Sequence, residues 1–476
     1  MSRQKTLVWF RNDLRLRDNA ALRYAVDAGE VLPLFVFDEA SASELCPGAA
    51  SRCWLHHSLI ALNASLDDRL VCRRGDSLSL IRELVAACDI DTVVWNRCYS
   101  PLSMAQDEIL QQALSADGLD VRSFQGNLLW EPETIKTQQG TPYKVFTPFY
   151  NKGCLKAAAP AKPLAAPGSG LPYVAARPAG RPEDLQLLPE RPWHKKFPAL
   201  ARVGEKAAGK RLARFLAGPL EDYVQGRDFP AADSVSGLSA HLHFGEISPR
   251  TVWHQSRAAA STAHRENQSG HFLRQLAWRE FSAYLLYHFP HTARENLQRK
   301  FDDFPWRHDA DALQAWQQGQ TGYPIVDAGM RELWQTGFMH NRVRMIVASF
   351  LVKNLLIHWH AGADWFADCL FDADVANNSM GWQWVAGSGA DAAPFFRIFN
   401  PVTQGQRFDP QGQYVRRFVP ELSALPDKYL HDPGSAPAAV LQKAGVVPGE
   451  TYPRPLVELK GSRQRALLAY ERIRRG

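Results

Sequence analysis

The first quarter of the chain alternates short apolar runs with longer stretches in which apolar residues recur every three or four positions. Near-continuous runs rich in β-branched residues are typical of strands buried on both faces of a parallel sheet, and the intervening periodicity predicts helices. The predicted strands are Thr6–Phe10, Val31–Phe37, Leu70–Cys72, Thr92–Trp95 and Val121–Phe124. The predicted helices between them are Ala20–Ala28, Ser51–Leu66, Ser77–Ala87 and Ser103–Ser115.

The turn after the first strand lacks the glycine fingerprint of dinucleotide-binding sheets. Phe10 is followed by Arg-Asn-Asp-Leu-Arg and not by Gly-x-Gly-x-x-Gly. Those glycines allow the backbone to approach a pyrophosphate closely. The pattern therefore predicts a Rossmann-like domain over residues 1–130 but does not indicate NAD.

Residues 131–198 have a different character, because nine of the 31 prolines fall between Pro160 and Pro198. Proline at this density prevents regular helices and sheets, so the segment is predicted to be an extended linker between domains.

From residue 199 to 476 the apolar spacing is almost entirely helical, with Gly and Pro near the predicted helix ends. The predicted fold class is thus α/β plus all-α: a parallel α/β domain, a long linker and an all-helical domain. Helices are predicted at Lys206–Leu216, Pro249–Ala260, His271–Tyr287, Ala310–Gln317, Ile325–Thr336, Asn341–Ile357 and Ala363–Leu370.

Composition narrows the class of protein without naming an activity. The net charge of +6 is modest and fits a solvated basic surface as well as a polyanion partner. The 7 cysteines include no Cys-x-x-Cys pair, so neither a disulfide framework nor a metal site is predicted. No signal peptide and no membrane span is recognisable, and a cytoplasmic protein is expected.

Tryptophan is concentrated in one part of the helical region, where eight of the 14 lie between Trp278 and Trp384. The rings alone favour a plain aromatic core, and Trp253, Trp316 and Trp334 are predicted to be core residues. The arginines, amides and aspartates among the rings reverse this preference for the cluster as a whole. Buried charges and amides are costly unless they are paired, so a functional site is predicted there.

Two helices of this region carry side chains suited to an extruded nucleobase. Gln275, Trp278 and Arg279 are three and four residues apart, which places an amide, an indole and a cation on one helical face. Asn341 and Met345 share a face in the same way. The alternative is that Trp278 is an interior aromatic residue beside a surface arginine. The segment with Gln275, Trp278 and Arg279, taken alone, favours this alternative.

Five motifs together resemble the photolyase/cryptochrome flavoprotein family, and the resemblance covers essentially the whole chain. It implies an N-terminal α/β domain, a linker and a helical domain that holds one U-shaped FAD, reduced in the active form. The motifs are Arg227-Asp-Phe-Pro230, Trp278-Arg-Glu-Phe281, Thr321-Gly-Tyr-Pro-Ile-Val-Asp327, Gly337-Phe-Met-His-Asn-Arg342 and Gly381-Trp-Gln-Trp384.

The resemblance also assigns expected roles to individual residues. FAD contacts are expected at Tyr223, Ser236, Leu238, Ser239, Arg344, Asp372, Asp374 and Asn378, with the Asn378 amide near flavin N5. Electron transfer from the surface to the flavin is expected through Trp306, Trp359 and Trp382. The lesion pocket is expected at Gln275, Trp278, Asn341, Met345 and Trp384, and phosphate contacts at Arg227, Arg279, Arg342 and Arg397.

The implied activity is light-driven DNA repair, in which excited reduced FAD donates an electron to a cyclobutane pyrimidine dimer, the ring opens and the electron returns. A blue-light receptor of the cryptochrome type is the alternative. Repair is favoured because Asn378 stands where plant cryptochromes carry Asp, and because Trp278 and Trp384 are both present. The chain also ends soon after the core, without a long signalling tail. The branch resembled is the bacterial one close to plant cryptochromes, called class III.

Gln275 leaves a second alternative open, because photolyases for (6-4) lesions commonly have Gln there. Asn341 and Met345 favour the cyclobutane-dimer type. An antenna chromophore is expected from the family, with methenyltetrahydrofolate favoured over a deazaflavin and a second flavin left open. The expected partner is UV-damaged DNA, bound by a monomer of the bacterial cytoplasm or nucleoid that needs no protein partner.

Overall fold

The computed structural model describes residues 3–39, 47–175, 180–391 and 397–475. The chain divides into two compact units. Unit 1 comprises Met1–Glu221, Ser236–Pro290 and Phe371–Ala376, and unit 2 comprises Asp222–Val235, His291–Leu370 and Asn377–Gly476. The boundaries after residues 130 and 198 follow the sequence pattern and remain a prediction.

Unit 1 contains a five-stranded parallel sheet in the order β3-β2-β1-β4-β5. All five predicted strands are confirmed. Thr6 is paired with Val31 on one side and with Thr92 on the other, which makes β1 the central strand. Its residues Leu7 to Phe10 are at most 2% exposed, which explains their uninterrupted apolar run. The strands are β1 Gln4–Phe10, β2 Gly29–Phe37, β3 Val71–Arg74, β4 Thr92–Asn96 and β5 Asp120–Phe124.

The helices that connect these strands begin at side chains that cap them. Asn19, Asp76 and Ser100 each accept a hydrogen bond from a backbone N–H in the first turn of the helix that follows. The four predicted helices are confirmed to within two residues at each end. They are α1 Ala20–Ala28, α2 Ala49–Ser65, α3 Ser77–Cys88 and α4 Pro101–Ala116.

The segment over residues 131–198 forms short turns of 3-10 and π helix and one short α-helix, α5 Phe146–Pro148, and part of it packs beside the sheet of unit 1. Val31 donates its N–H to the Pro172 carbonyl at 2.7 Å and accepts from Val174 at 3.1 Å. Cys72 donates to the Gly180 carbonyl at 3.2 Å. The segment is therefore attached to β2 and β3 by backbone hydrogen bonds, although it has no strand or long helix in its described part.

The rest of the described chain is helical, which confirms the predicted all-α region. The helices are α6 Glu205–Ala217, α7 Tyr223–Gly226, α8 Ser239–His243, α9 Pro249–Ala258, α10 Ala263–His288, α11 Ala310–Gln317, α12 Pro324–Thr336, α13 Asn341–Ser349, α14 Trp359–Cys369, α15 Val375–Ala386, α16 Pro401–Phe408, α17 Gln413–Phe418, α18 Asp427–Leu430, α19 Ala438–Ala444 and α20 Leu459–Arg475. Among the described residues, no helix combines the length and hydropathy needed to cross a membrane.

Three sequence predictions in the helical region were wrong, the first being the start of α10, which lies at Ala263 and not at His271. The helix predicted over Asn341–Ile357 ends at Ser349 and continues as one π-helical turn over Phe350–Asn354, which apolar periodicity does not distinguish from an α-helix. Trp334 was predicted to be a core residue but is 56% exposed and stacks on Trp365, with ring centroids 5.9 Å apart. Trp253 and Trp316 are core residues, as predicted.

Candidate active site

The residues Ser236 to Ser239 form a loop in unit 1 that leads into α8. Gly237 has φ +61°, and a Cβ there would lie 2.2 Å from Arg211 Nη1, so the turn requires glycine. Arg211 Nη1 donates to the Ser236 carbonyl at 3.4 Å, and Leu238 N donates to Ser236 Oγ at 3.4 Å. Leu238 is 1% exposed and anchors the loop, while Ser239 opens α8 at the surface. The loop thus presents two hydroxyl groups and backbone N–H groups, which suit a diphosphate.

Asp372 and Asp374 follow Phe371, a core residue of the same unit that contacts Trp54 at a ring distance of 5.1 Å. The same apolar cluster includes Ala240 and Phe244, from α8 and its end. Burial lowers the pKa of His243 on α8, and the nearby Asp374 and Asp372 carboxylates partly oppose that effect. Unit 1 therefore brings together five of the eight predicted FAD residues: Ser236, Leu238, Ser239, Asp372 and Asp374.

Asn378 lies on α15 in unit 2 and is oriented by α14. Its Nδ2 donates to the Ala363 carbonyl at 2.9 Å, which leaves its Oδ1 available as an acceptor. An acceptor suits the protonated N5 of a reduced flavin. Trp382 is four residues further along α15 and so lies on the same helical face as Asn378.

Trp382 packs against α14 at Gly362, where an added Cβ would lie 2.0 Å from Trp382 Cη2. The indole is 2% exposed and contacts Phe366 at a ring distance of 5.0 Å. Trp359 is the first residue of α14, one turn before Gly362. The start of α14 therefore supports two of the three tryptophans predicted to transfer electrons.

His358 lies between the two outer tryptophans. Its ring is 5.0 Å from Trp306 and 5.7 Å from Trp359, measured between centroids. Trp359 is 1% exposed and donates its Nε1–H to Asn296 Oδ1 at 3.1 Å, whereas Trp306 is half-buried. The series Trp382, Trp359 and Trp306 thus runs from fully buried indoles to a partly exposed one.

The predicted nucleobase-binding face of α10 forms in unit 1. Gln275, Trp278 and Arg279 are all half-buried and lie on one face of the helix. The Trp278 indole stacks on Phe146, with centroids 3.7 Å apart and planes within 8°. Phe146 is fully buried and therefore fixes the orientation of the indole. An indole that is fixed on one face by Phe146 and is still partly exposed is suited to stacking with a base.

Arg279 is more strongly bound to the protein than the sequence suggested. Its Nη1 donates to the Asn127 carbonyl at 2.7 Å and its Nη2 to the Leu242 carbonyl at 3.4 Å. It also lies 3.6 Å from Glu280, a buried carboxyl whose pKa desolvation raises to about 7. Only the remaining N–H groups of Arg279 are available for the predicted phosphate contact.

The side chains predicted on α13 also come together, in unit 2. Asn341 is exposed, and its Nδ2 lies 4.0 Å from Met345 Sδ. Arg342 pairs with Asp228 at 2.9 Å, and Arg227 lies 3.8 Å from the same carboxylate. Two arginines therefore share one aspartate, which leaves net positive charge where phosphate contacts are predicted.

Four more predicted residues have the following contacts or exposure in the described chain. Arg344 donates its Nε–H to the Met339 carbonyl at 2.8 Å. Arg397 is exposed, and its carbonyl accepts from the buried Lys353 at 3.4 Å. Trp384 is half-buried on α15. Tyr223 is 5% exposed and lies under the Arg227 guanidinium at 5.6 Å.

Sequence reasoning missed Phe146, His358, Gly362 and Asn296, which support the predicted tryptophans. Phe146 and Asn296 are distant in sequence from the indoles that they contact, so no local pattern indicates them. Gly362 offered a weak signal, because a glycine one turn after Trp359 inside a helical pattern suggests close packing.

The donor set fits FAD. Hydroxyl and N–H groups at Ser236 and Ser239 suit the phosphates, and the Asp372 and Asp374 carboxylates suit hydroxyl or N–H donors of the cofactor. The buried Nε1–H of Trp382 has no acceptor in the described part of the chain, which fits a site completed by a bound group.

The α/β domain, the helical region and these polar groups are those of a flavoprotein, and comparison with known proteins agrees. Residues 6–168 match the family described as DNA photolyase, and residues 272–472 match the FAD binding domain of DNA photolyase. The chain therefore belongs to the photolyase/cryptochrome family and carries its FAD-binding domain.

Individual relatives are similar along the whole chain. The deoxyribodipyrimidine photo-lyase of Agrobacterium fabrum is 50% identical over 98% of this chain and 98% of its own length. Cryptochrome-2 of Arabidopsis thaliana is 37% identical over 99% of this chain and 79% of its own length. The crystal structure of a bacterial class III photolyase from Agrobacterium tumefaciens superposes with a TM-score of 0.95 at 48% identity, covering 100% of this chain and 99% of that one.

Proposed function

We propose that this protein is a class III photolyase that splits cyclobutane pyrimidine dimers in UV-damaged DNA under blue light. The observation that carries the proposal is the half-open Trp278 indole, stacked on Phe146 at 3.7 Å on the helical face that also bears Gln275 and Arg279. A signalling receptor has no need of a fixed stacking surface beside an amide and a cation.

Each group of residues has a separate task in this proposal. Ser236, Leu238, Ser239, Asp372 and Asp374, with Tyr223, Arg344 and Asn378, hold the FAD, which supplies the light-excited electron for ring opening. The Asn378 oxygen would accept a hydrogen bond from N5 of the reduced ring. Trp382, Trp359 and Trp306 carry an electron inward when the cofactor has become oxidised.

The DNA side is formed by aromatic, amide and charged groups. Trp278 and Trp384 stack on the extruded pyrimidines, and Gln275, Asn341 and Met345 contact their edges. Arg227, Arg279, Arg342 and Arg397 bind the flanking phosphates. Damaged pyrimidines stack poorly, so they cost least to extrude, which favours the lesion over intact DNA.

The deciding experiment illuminates reduced protein with DNA that contains either cyclobutane dimers or (6-4) lesions. Recovery of thymine absorbance with the dimer substrate alone is expected. Recovery only with the (6-4) substrate would assign the other lesion, and recovery with neither would favour the cryptochrome alternative.

We also propose an antenna chromophore, methenyltetrahydrofolate ahead of a deazaflavin or a second flavin, and a monomer that works in the cytoplasm or nucleoid. The family likeness to the class III branch supports the folate. Extraction of the chromophores from purified protein, followed by their absorption spectra and mass, identifies the antenna. Light scattering with and without lesion DNA tests the monomer.

A further inference from the structure

An open groove of about 430 Å³ lies in unit 2, where the last helix runs beside the segment that contains Trp306. Its polar wall is formed by Arg307, Arg465 and Arg472, with Gln464 from α20. Its apolar wall includes Leu356 and Leu468. No carboxylate is among the described residues that line it.

The positive charge of the groove is only partly compensated by the protein. Arg307 lies 3.6 Å from Asp309, and Arg465 donates to the Asn354 carbonyl at 2.9 Å. Arg472 is exposed and forms no ion pair with the described residues. Burial and the neighbouring Arg307 cation both lower the pKa of Arg465. Three guanidinium groups with one carboxylate favour binding of an anion.

The apolar part of the groove indicates what else the anion carries. Leu468 is 53% exposed at the rim, whereas Leu356 and Ala469 are almost fully buried and form the floor. An apolar surface beside guanidinium groups, which stack on planar rings as well as pairing with phosphate, suits a ring-bearing organic phosphate.

The groove shares a wall with the outermost tryptophan of the predicted chain. Pro305 and Arg307, which flank Trp306, both line it. Trp306 packs against the apolar cluster that contains Leu356 and Ala469, two residues that also face the groove. A ligand in the groove would therefore contact residues that also pack against the indole.

We propose that this groove binds a small ring-bearing organic phosphate, of the class of the reduced nicotinamide nucleotides, which donates electrons to Trp306. The inference rests on the proposed electron transfer through Trp306, Trp359 and Trp382. After Trp306 has passed one electron inward it is a radical cation. One electron from the bound donor restores the neutral indole, no bond to Trp306 forms or breaks, and the donor leaves oxidised by one electron with its proton released to water.

Binding is tested first, in the dark, by calorimetric titration of NADH into the flavin-loaded protein. The double variant Arg465→Gln, Arg472→Gln is expected to weaken binding by about tenfold, since two partly exposed charge pairs are lost. The matched control is Arg463→Gln, an exposed arginine of α20 outside the groove. Added salt is expected to weaken binding to the unaltered protein. If the double variant binds NADH with unchanged affinity, or if the control variant loses as much affinity, the groove is not the binding site.

Electron delivery is tested next under blue light, with either NADH or the uncharged reductant dithiothreitol. The double variant is expected to slow cofactor reduction with NADH but not with dithiothreitol. Trp382→Phe is expected to stop reduction with both reductants while NADH still binds. Normal reduction in Trp382→Phe would refute the tryptophan chain, whereas an equal effect of the double variant on both reductants would refute the groove as a donor site.

Discussion

Trp359 and Trp278 are both aromatic residues of the helical region, yet the protein holds them in different ways. Trp359 is 1% exposed, and its indole N–H is bonded to Asn296. Trp278 is half-buried, with one face on Phe146. An enclosed, fixed ring suits electron transfer, because little around it rearranges when its charge changes. A ring with a fixed back and an open edge suits stacking with a base.

The same contrast separates the two proposed groups of tryptophans. Trp382 and Trp359 are enclosed by other rings, and Trp306 ends their series at a half-buried position. Trp278 and Trp384 are both half-buried. Exposure of the indole, which the sequence does not reveal, therefore distinguishes the residues proposed to carry electrons from those proposed to bind the lesion.

The largest expected effect comes from Trp382→Phe, which should abolish photoreduction of the oxidised cofactor because phenylalanine is much harder to oxidise. Repair by chemically reduced protein should stay unchanged. The absorbance of the flavin under blue light measures photoreduction, and the recovery of thymine absorbance measures repair. Trp9→Phe, at an equally buried indole of the sheet, is the control and should photoreduce normally.

Trp278→Ala tests the half-buried indoles of the proposed lesion site. It should weaken binding of dimer DNA by about 1–3 kcal/mol, because stacking on the indole is lost. Photoreduction should persist. A fluorescence anisotropy titration with lesion DNA measures the affinity. The control is Trp334→Ala at the 56% exposed indole, which lies outside the proposed pocket. Equal affinities of the Trp278 variant and the unaltered protein would remove Trp278 from the lesion site.

Gly362→Ala tests how closely the enclosed indoles are packed. The new methyl group would overlap Trp382 Cη2, so we expect a loss of about 1–2 kcal/mol in the free energy of unfolding, together with slower photoreduction. Denaturant unfolding measures the stability. Gly270→Ala in α10 is the control, because a Cβ there meets no atom within 4 Å and should stabilise the helix slightly. A Gly362 variant as stable as this control would contradict the packing.

The smallest expected effect is a pH dependence from His358, between the outer indoles. Burial, together with the neighbouring His360 and Arg294 side chains, lowers its pKa to about 4. Between pH 4 and 6.5 the unfolded state therefore binds more protons at this residue, and stability should rise with pH. His358→Gln should reduce the rise of the melting temperature with pH across that range. The control His271→Gln, at an exposed histidine, should leave the slope unchanged.

Prediction from sequence succeeded where the signal was local. The strands and helices of the α/β domain were located because apolar spacing reflects one element packing on its neighbours. The region Asn341–Asn354 shows the limit of this approach, since a π-helical turn has nearly the same spacing as the α-helix that it continues. Trp334 shows a second limit, because most of its helix is buried while its own indole lies on the exposed side.

The sequence by itself determined the order of elements, the family and the residue types available for chemistry, because all three depend on patterns along the chain. Only the tertiary structure decided that Phe146 supports Trp278, that Gly362 admits Trp382 and that three arginines line a groove beside the segment that carries Trp306. Each of these contacts joins residues that are brought close by packing, and their energies depend on distances that spacing along the chain does not encode.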